Sequence, residues 1–401
     1  MRLTLPRRLA VVLAIAAATT PIVSAQERPM EFESWAVPGW TFTPAVSFGG
    51  LWDSNVAVAA NPAEGQTAHD RLFTFEPSGQ LEFRNNRTEL VTGYKGYLRR
   101  YVDVDQLNGF DQRMFLSLRR MATKRVTVFA RNEYSDVPTT DDVLLNGIPY
   151  SRTGSRSNRF ASGVETRLTK YDDISVHYEN TWVSFDETTS SFLRGGVLHG
   201  LRTMYGRHLS ERTTVGGEYR IRRSLMNDGA RVMWFNDFGG TIQHALRPHL
   251  RLQAAGGYST LHDPLLADTR GGAYMRAELT HEARRATSGV FYERSFAPSF
   301  GFGGSSQSQD LRGYVHMPFS RNRFYVQSSG GWRRTNPLVV LSELDLDSFV
   351  VDSTVGYGAS RWMRVEVFHV YTRQDSRITG GEINRHRAGA QLVISQPMRI
   401  R

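Results

Sequence analysis

The most constraining feature of this sequence is a two-residue rhythm. Stretches of about ten residues alternate apolar and polar side chains and then break at a polar turn. In 72–83, Phe73, Phe75, Pro77, Gly79, Leu81 and Phe83 alternate with Leu72, Thr74, Glu76, Ser78, Gln80 and Glu82. In 215–222, Val215, Gly217, Tyr219 and Ile221 alternate with Gly216, Glu218, Arg220 and Arg222. The pattern recurs at 273–280, 310–317 and 387–394. A period of two marks strands whose two faces meet different surroundings. After residue 25 no apolar run approaches the ~20 residues that a transmembrane helix needs. Two architectures remain. One is a soluble sandwich with its apolar faces in a core. The other is a membrane barrel in which every second residue faces lipid, which tolerates the mean hydropathy of −0.40.

The connections favour the barrel. Counting segments predicts an all-β, transmembrane, antiparallel up-and-down β-barrel of about 18 strands. Short breaks fall near Asn85-Asn86, Ala122-Thr123, Lys170-Tyr171, Ser210-Glu211, Arg247-Pro248, Arg284-Arg285, Ser320-Arg321 and Ser360-Arg361. Longer ones fall near 53–70, 102–109, 137–155, 187–194, 225–229, 262–269, 299–306, 335–345 and 375–382. Short turns on one side and long loops on the other are the habit of outer-membrane barrels. Aromatic residues mark strand ends, as they do at a membrane–water boundary. Trp40 and Trp52 bracket the first strand; Tyr101, Tyr134, Phe185, Tyr258, Trp332 and Tyr371 are expected near outer ends and Trp362 near an inner end. Closure is a physical requirement, because an open edge in hydrocarbon leaves a row of backbone groups unpaired.

Residues 1–25 read as an export signal: Arg2, Arg7 and Arg8, an apolar run from Leu9 to Ala18, Pro21, and small residues at Val23-Ser24-Ala25. Residues 26–40 read as a short periplasmic lead-in and 41–401 as the barrel. The signal carries three arginines and no acid, so its removal lowers the net charge from +10 to +7. There is no cysteine, which excludes disulfides, thiolate metal sites and lipoprotein acylation. The expected setting is the outer membrane of a Gram-negative bacterium, in contact with lipid and lipopolysaccharide. Nucleic acid is not an expected partner of an exported chain.

The rhythm assigns side chains to a lumen. Those singled out as lining a translocation path are Lys95, Arg99, Arg113, Arg131, Arg159, Arg167, Arg220, Arg222, Arg276, Arg364 and Arg387, interleaved with Glu76, Glu82, Glu133, Glu165, Glu218, Glu278 and Glu366 and joined by Arg119. Arginine offers planar, bidentate recognition of carboxylate or phosphate, which points to anionic or sugar-like cargo. The same charges could instead pair across neighbouring strands and only solvate the wall. Arg131/Arg159/Arg167 and Arg220/Arg222/Arg276 read as two basic groups. The long loop at 137–155 is a candidate constriction, with Asp136, Asp141 and Asp142 placed to face basic wall residues if it folds inward; otherwise it is a solvated surface loop. No cofactor or metal is expected, nor an enzyme. The eleven histidines show no zinc-helix spacing, there is no GxSxG elbow, and Gly301-Phe302-Gly303-Gly304 has no following helix.

Leu51-Trp52-Asp53-Ser54-Asn55-Val56, within Thr43–Val58, resembles a recurring aromatic-Asp-(Asp/Ser)-Asn-Val pattern of a family of outer-membrane β-barrel porins associated with exopolysaccharide biosynthesis and export. The resemblance extends to the length and hairpin rhythm of the whole chain after the signal. It implies a conduit for export of an exopolysaccharide, served by periplasmic polysaccharide-export proteins, and brings no catalytic residues. The alternative from the residues alone is a passive diffusion porin for small anionic solutes. One departure concerns the end of the chain, Met398-Arg399-Ile400-Arg401, where barrels of this kind commonly place an aromatic residue. Either the last strand ends earlier, near Ile394, or the signal read by the insertion machinery is unusual.

Overall fold

The computed structural model describes residues 38–60, 68–141, 146–186, 193–226, 229–266, 268–283, 286–319, 323–338, 345–376 and 381–400. The expected export signal and most of the lead-in lie outside them. The strands are β1 (Gly39–Asp53), β2 (Asp70–Arg84), β3 (Thr88–Tyr101), β4 (Gly109–Met121), β5 (Val126–Val137) and β6 (Ser155–Arg167). They continue as β7 (Asp172–Phe185), β8 (Gly196–His208), β9 (Thr213–Met226), β10 (Arg231–Arg247), β11 (Leu250–His262) and β12 (Arg270–Ala283). The rest are β13 (Ala286–Ser299), β14 (Gly304–Phe319), β15 (Phe324–Pro337), β16 (Leu346–Gly358), β17 (Met363–Ser376), β18 (Gly381–Ser395) and a short β19 (Met398–Ile400).

Each of the first eighteen strands pairs antiparallel with its sequence neighbours, and β1 pairs with β18 from Ala45↔Ser395 to Asp53↔Arg387. The sheet is a closed, up-and-down barrel of eighteen strands. The lower part of β1 takes a second partner in β19, from Trp40↔Ile400 to Phe42↔Met398. The last strand thus ends at Ser395, one residue past the expected place. Pro397, which has no backbone N–H to donate, separates it from a three-residue continuation on the same edge of β1.

Alternation holds on every wall. One parity exposes Phe48, Phe73, Met114, Val164, Leu201, Phe238, Met275, Val290, Val355 and Val367, with Phe73 at 68% and Val367 at 58% exposure. These form the face that meets hydrocarbon, where exposure of large apolar groups is stabilising. The opposite parity carries the charges. Tyr134, Tyr258, Trp332 and Tyr371 share the outward parity. Tyr101 and Phe185 do not. Both sit on the inward parity and are buried, Tyr101 against Leu51, Val56 and Leu72 and Phe185 in a larger cluster described below. Their assignment to the outer aromatic belt is corrected: near the loop end the interior is itself apolar, so an aromatic at a strand end has two places to go.

The loop side is more compact than expected. The β13–β14 connection is Phe300–Gly303, because both strands continue through what reads as a loop at 299–306. The β12–β13 ladder stops at Met275↔Arg294, whereas β13–β14 continues to Ser299↔Gly304. The tip of that hairpin therefore leaves one neighbour in the wall, and residues 295–301 are buried throughout.

Candidate functional site: the arginine-lined bore and its inward loop

The 138–154 connection does not stay outside. Thr140 closes its base, with its hydroxyl donating to Pro149 O at 2.6 Å and accepting from Ser151 N at 2.7 Å. From there the loop crosses the bore. Ile148 is fully buried with Val183, Phe185, Leu193, Met226, Met233, Phe235, Leu261, Phe296 and Phe300, which come from β7, β9–β11, β13 and their loops. Gly147 has φ +77, and a Cβ there would stand 2.7 Å from Thr335 Oγ1 of β15, so both the backbone and the contact call for glycine. In a ring of eighteen, β14–β15 lie opposite β5–β6. The described part of the loop at 146–150 reaches across the lumen to β15 and β17.

Four polar side chains hold it. Gln374 of β17 accepts from Tyr150 N at 2.5 Å and donates to Ile148 O at 3.0 Å and Ser348 Oγ at 2.7 Å. Arg385 of β18 forms a bidentate pair with Asp53 of β1, donates to the Tyr150 hydroxyl, and approaches Asp141 at 3.5 Å. Arg387 reaches Asp141 at 3.2 Å, and Arg152 donates to Val56 O at 2.5 Å with Asp53 3.9 Å away. Burial by itself raises the pKa of Asp141, but the guanidiniums of Arg387, Arg385 and Arg152 outweigh it and hold the carboxyl below the usual carboxylate range. Burial pushes the Tyr150 phenol up, so it stays neutral and can accept from Arg385.

A second inward element meets the first. Arg194 and Gly301 exchange backbone hydrogen bonds of 2.9 and 2.8 Å between the loops that precede β8 and β14. Arg231 donates to Asp263 at 3.0 Å and to Gly303 O at 2.7 Å, and Ser305 donates to the same carboxylate at 2.5 Å. Burial raises the pKa of Asp263, and these donors together bring it below its ordinary value.

Further down, the wall repeats one motif: two arginines on one carboxylate. Arg202 at 3.0 Å and Arg276 at 3.1 Å share Glu218, which also accepts from the Tyr274 hydroxyl at 2.6 Å. Arg220 and Arg222 share Asp237, both at 2.9 Å, and Arg220 reaches Glu293 at 2.8 Å. Arg312 at 2.8 Å and Arg333 at 3.6 Å share Asp310. On Glu218 one carboxylate is shared by two guanidiniums, whereas Arg220 and Arg222 have two carboxylates between them, Asp237 and Glu293. Elsewhere the pairing is one to one: Lys95–Glu76 at 2.7 Å, Arg99–Asp111 at 2.7 Å, Arg119–Glu165 at 2.8 Å and Arg364 with Glu366.

All the lumen candidates fall on the inward parity, but not all keep the expected company. Arg131 stands opposite Ala161 and Arg159 opposite Glu133, whereas Arg167 lies eight residues beyond Arg159 along β6, ~26 Å at 3.3 Å per residue, where it meets Asp173 at 3.6 Å. The Arg131/Arg159/Arg167 group is thus two sites. Lys95 and Arg113 are direct cross-strand partners. Arg220 and Arg222 share a carboxylate, while Arg276 joins Arg202 on the next one. Asp136 is corrected: it lies on the outward parity, opposite Gln112, and pairs with Arg156 at 3.3 Å on the outer rim. Asp142 lies outside the described residues. Sequence reasoning missed Tyr150, Gln374 and Arg385, and it quoted Asp53 only within the Leu51–Val56 motif, without a partner. The length of the loop pointed towards Tyr150, but the contacts of Tyr150 with Gln374 and Arg385 join segments more than 200 residues apart.

No known family model and no curated protein sequence matches the chain. Solved structures similar to it include Acinetobacter baumannii OccAB4 (TM-score 0.45, 8% identity, 90% of this chain and 98% of that one). Pseudomonas aeruginosa opdK is similar at TM-score 0.43 and 9% identity, covering 89% of this chain and 99% of that one. The siderophore receptor PirA from Pseudomonas aeruginosa is similar at TM-score 0.43 and 8% identity, covering 90% and 80%. Likeness at this level assigns neither family nor cargo. The fold rests on the strand ladders themselves.

Proposed function

We propose that this chain is an outer-membrane porin whose bore passes small solutes and favours anions. The observation that carries the reading is the loop 138–154, drawn across the lumen and fastened through Asp141 to Arg387 and Arg385. The paired arginines below supply a weakly compensated positive path, where a carboxylate or phosphate would replace lost hydration with planar N–H donors. Export of an exopolysaccharide, which the Leu51–Val56 resemblance implied, needs an unobstructed route for a long hydrated chain. The inward loop and the apolar cluster beneath it count against that route, and nothing in the geometry calls for periplasmic export partners.

The test is reconstitution of the full chain in planar bilayers under a salt gradient. Small, steady conductance with a reversal potential displaced towards the anion is expected. A non-conducting barrel, or one that prefers cations, would overturn the proposal. Vesicle swelling with solutes of graded size adds the cut-off: passage of long oligosaccharides as fast as monosaccharides would restore the polysaccharide route.

A further inference from the structure

The outward rim carries a feature that conduction does not use. Several arginines there are paired: Arg156 with Asp136, Arg334 with Asp345 at 3.6 Å and Arg373 with Glu382 at 2.7 Å. Arg71 of β2 and Arg100 of β3 are exposed and have no carboxylate partner among the described residues. They are diagonal neighbours on one face, since Arg100 stands opposite Phe73 and Arg71 opposite Trp52. The carboxylates of Asp103 and Asp105, in the turn that follows β3, form no ion pair with either.

Below the two cations, on the hydrocarbon side, runs a groove of about 300 Å³ lined by Phe48, Phe73, Phe75, Leu98 and Arg100. Gly50, opposite Phe73, leaves the neighbouring position on β1 empty, and Phe48 and Phe75 pack with ring centroids 5.1 Å apart as its floor. Two guanidiniums without a carboxylate partner among the described residues, at the level of Trp52 and continuous with an apolar trough, match an amphiphile: phosphate above, acyl chain below.

We infer that the β1–β3 face binds one phosphate-bearing lipid of the outer leaflet, with its phosphate on Arg71 and Arg100 and an acyl chain in the Phe48–Phe73–Phe75–Leu98 groove. The site rests on the reading of this chain as an outer-membrane barrel but not on its being a conduit, so lipid binding and conductance can succeed or fail separately. Arg223, another outward arginine with no carboxylate partner among the described residues, is stacked over Trp234 at 5.5 Å and supplies a control.

The experiment is native mass spectrometry of the full folded chain in detergent, titrated with bis-phosphorylated lipid A. One lipid per barrel is expected. Arg71→Gln/Arg100→Gln should weaken binding at least tenfold, Arg71→Lys/Arg100→Lys should retain most of it, and Arg223→Gln should leave it unchanged. Dephosphorylated lipid A should bind the native chain as poorly as lipid A binds the double glutamine variant. Equal affinity of the native chain and that variant, or an equal loss in Arg223→Gln, would overturn the site. Inorganic pyrophosphate binding as tightly as lipid A would overturn the lipid assignment. Retained heat-modifiable migration on gels establishes that each variant is folded.

Discussion

Removing the Asp141 carboxylate should loosen the inner loop without unfolding the wall. In Asp141→Asn the charge facing Arg387 at 3.2 Å and Arg385 at 3.5 Å disappears. At an effective dielectric near 20, a unit pair at that separation is worth ~5 kcal/mol before desolvation. Breaking a buried pair by removing one partner costs about 3–5 kcal/mol. The lower end applies, because Arg385 keeps its bidentate partner Asp53 and Arg387 is 22% exposed and can recruit water. About 3 kcal/mol is roughly a hundredfold in the ratio of fastened to released loop. Ile148 and Gln374 remain as anchors, so the loop should still be docked most of the time but should leave more often. Single-channel recording should show brief openings to a higher conductance level. Selectivity should shift further towards anions, since Arg387 is freed. Traces indistinguishable from the parent in conductance, noise and reversal potential would refute the reasoning, because they would mean that Asp141 neither fastens the loop nor shields the bore.

Four further outcomes are expected. Gln374→Leu strips Tyr150 N and Ile148 O of their partners, at about 1–3 kcal/mol for each buried orphan, and limited proteolysis should cut the 138–154 loop faster while the barrel stays intact. The latch should be acid-resistant: Asp141 has a lowered folded pKa, so its contribution is fully present above the ordinary aspartate value of about 3.9 and fades only as pH falls through the lower folded value. Conductance noise that rises already between about pH 6 and 5 would contradict this. Glu218→Gln leaves Arg202 and Arg276 facing the lumen without their shared carboxylate, and the reversal potential should move towards the anion. Gly257→Val places a Cβ 2.0 Å from Phe238 O, a backbone contact that no rotamer relieves, and should abolish the heat-modifiable folded band.

The wall was legible in the sequence because its rule is local. In segments such as 72–83 and 215–222, each residue declares its face by its parity, and the eighteen ladders need nothing else. Lumen arginines were legible for the same reason. What failed were statements about company. Arg167 shares a face with Arg131 and Arg159, but distance along a strand grows by 3.3 Å per residue, and parity carries no height. Tyr101 and Phe185 alternate inward, yet the general liking of aromatics for interfaces suggested the belt. Asp136 was grouped with Asp141 by proximity in the chain, although β5 continues to Val137 and turns Asp136 outward. The loop itself could be flagged only by length. Its fasteners Gln374 and Arg385 lie 224 and 235 residues from Tyr150, and no local pattern encodes such a meeting.

The pair that anchors the loop, Asp53 and Arg385, is separated by 332 residues and sits on the two strands that seal the cylinder, β1 and β18. Closing the cylinder therefore also completes the fastening. Until its first and last strands zip together, the segment that throttles the passage keeps its grip on Gln374 and the Ile148 cluster but lacks the Asp53–Arg385 clamp. A wall not yet closed is thus one whose throttle is only half secured.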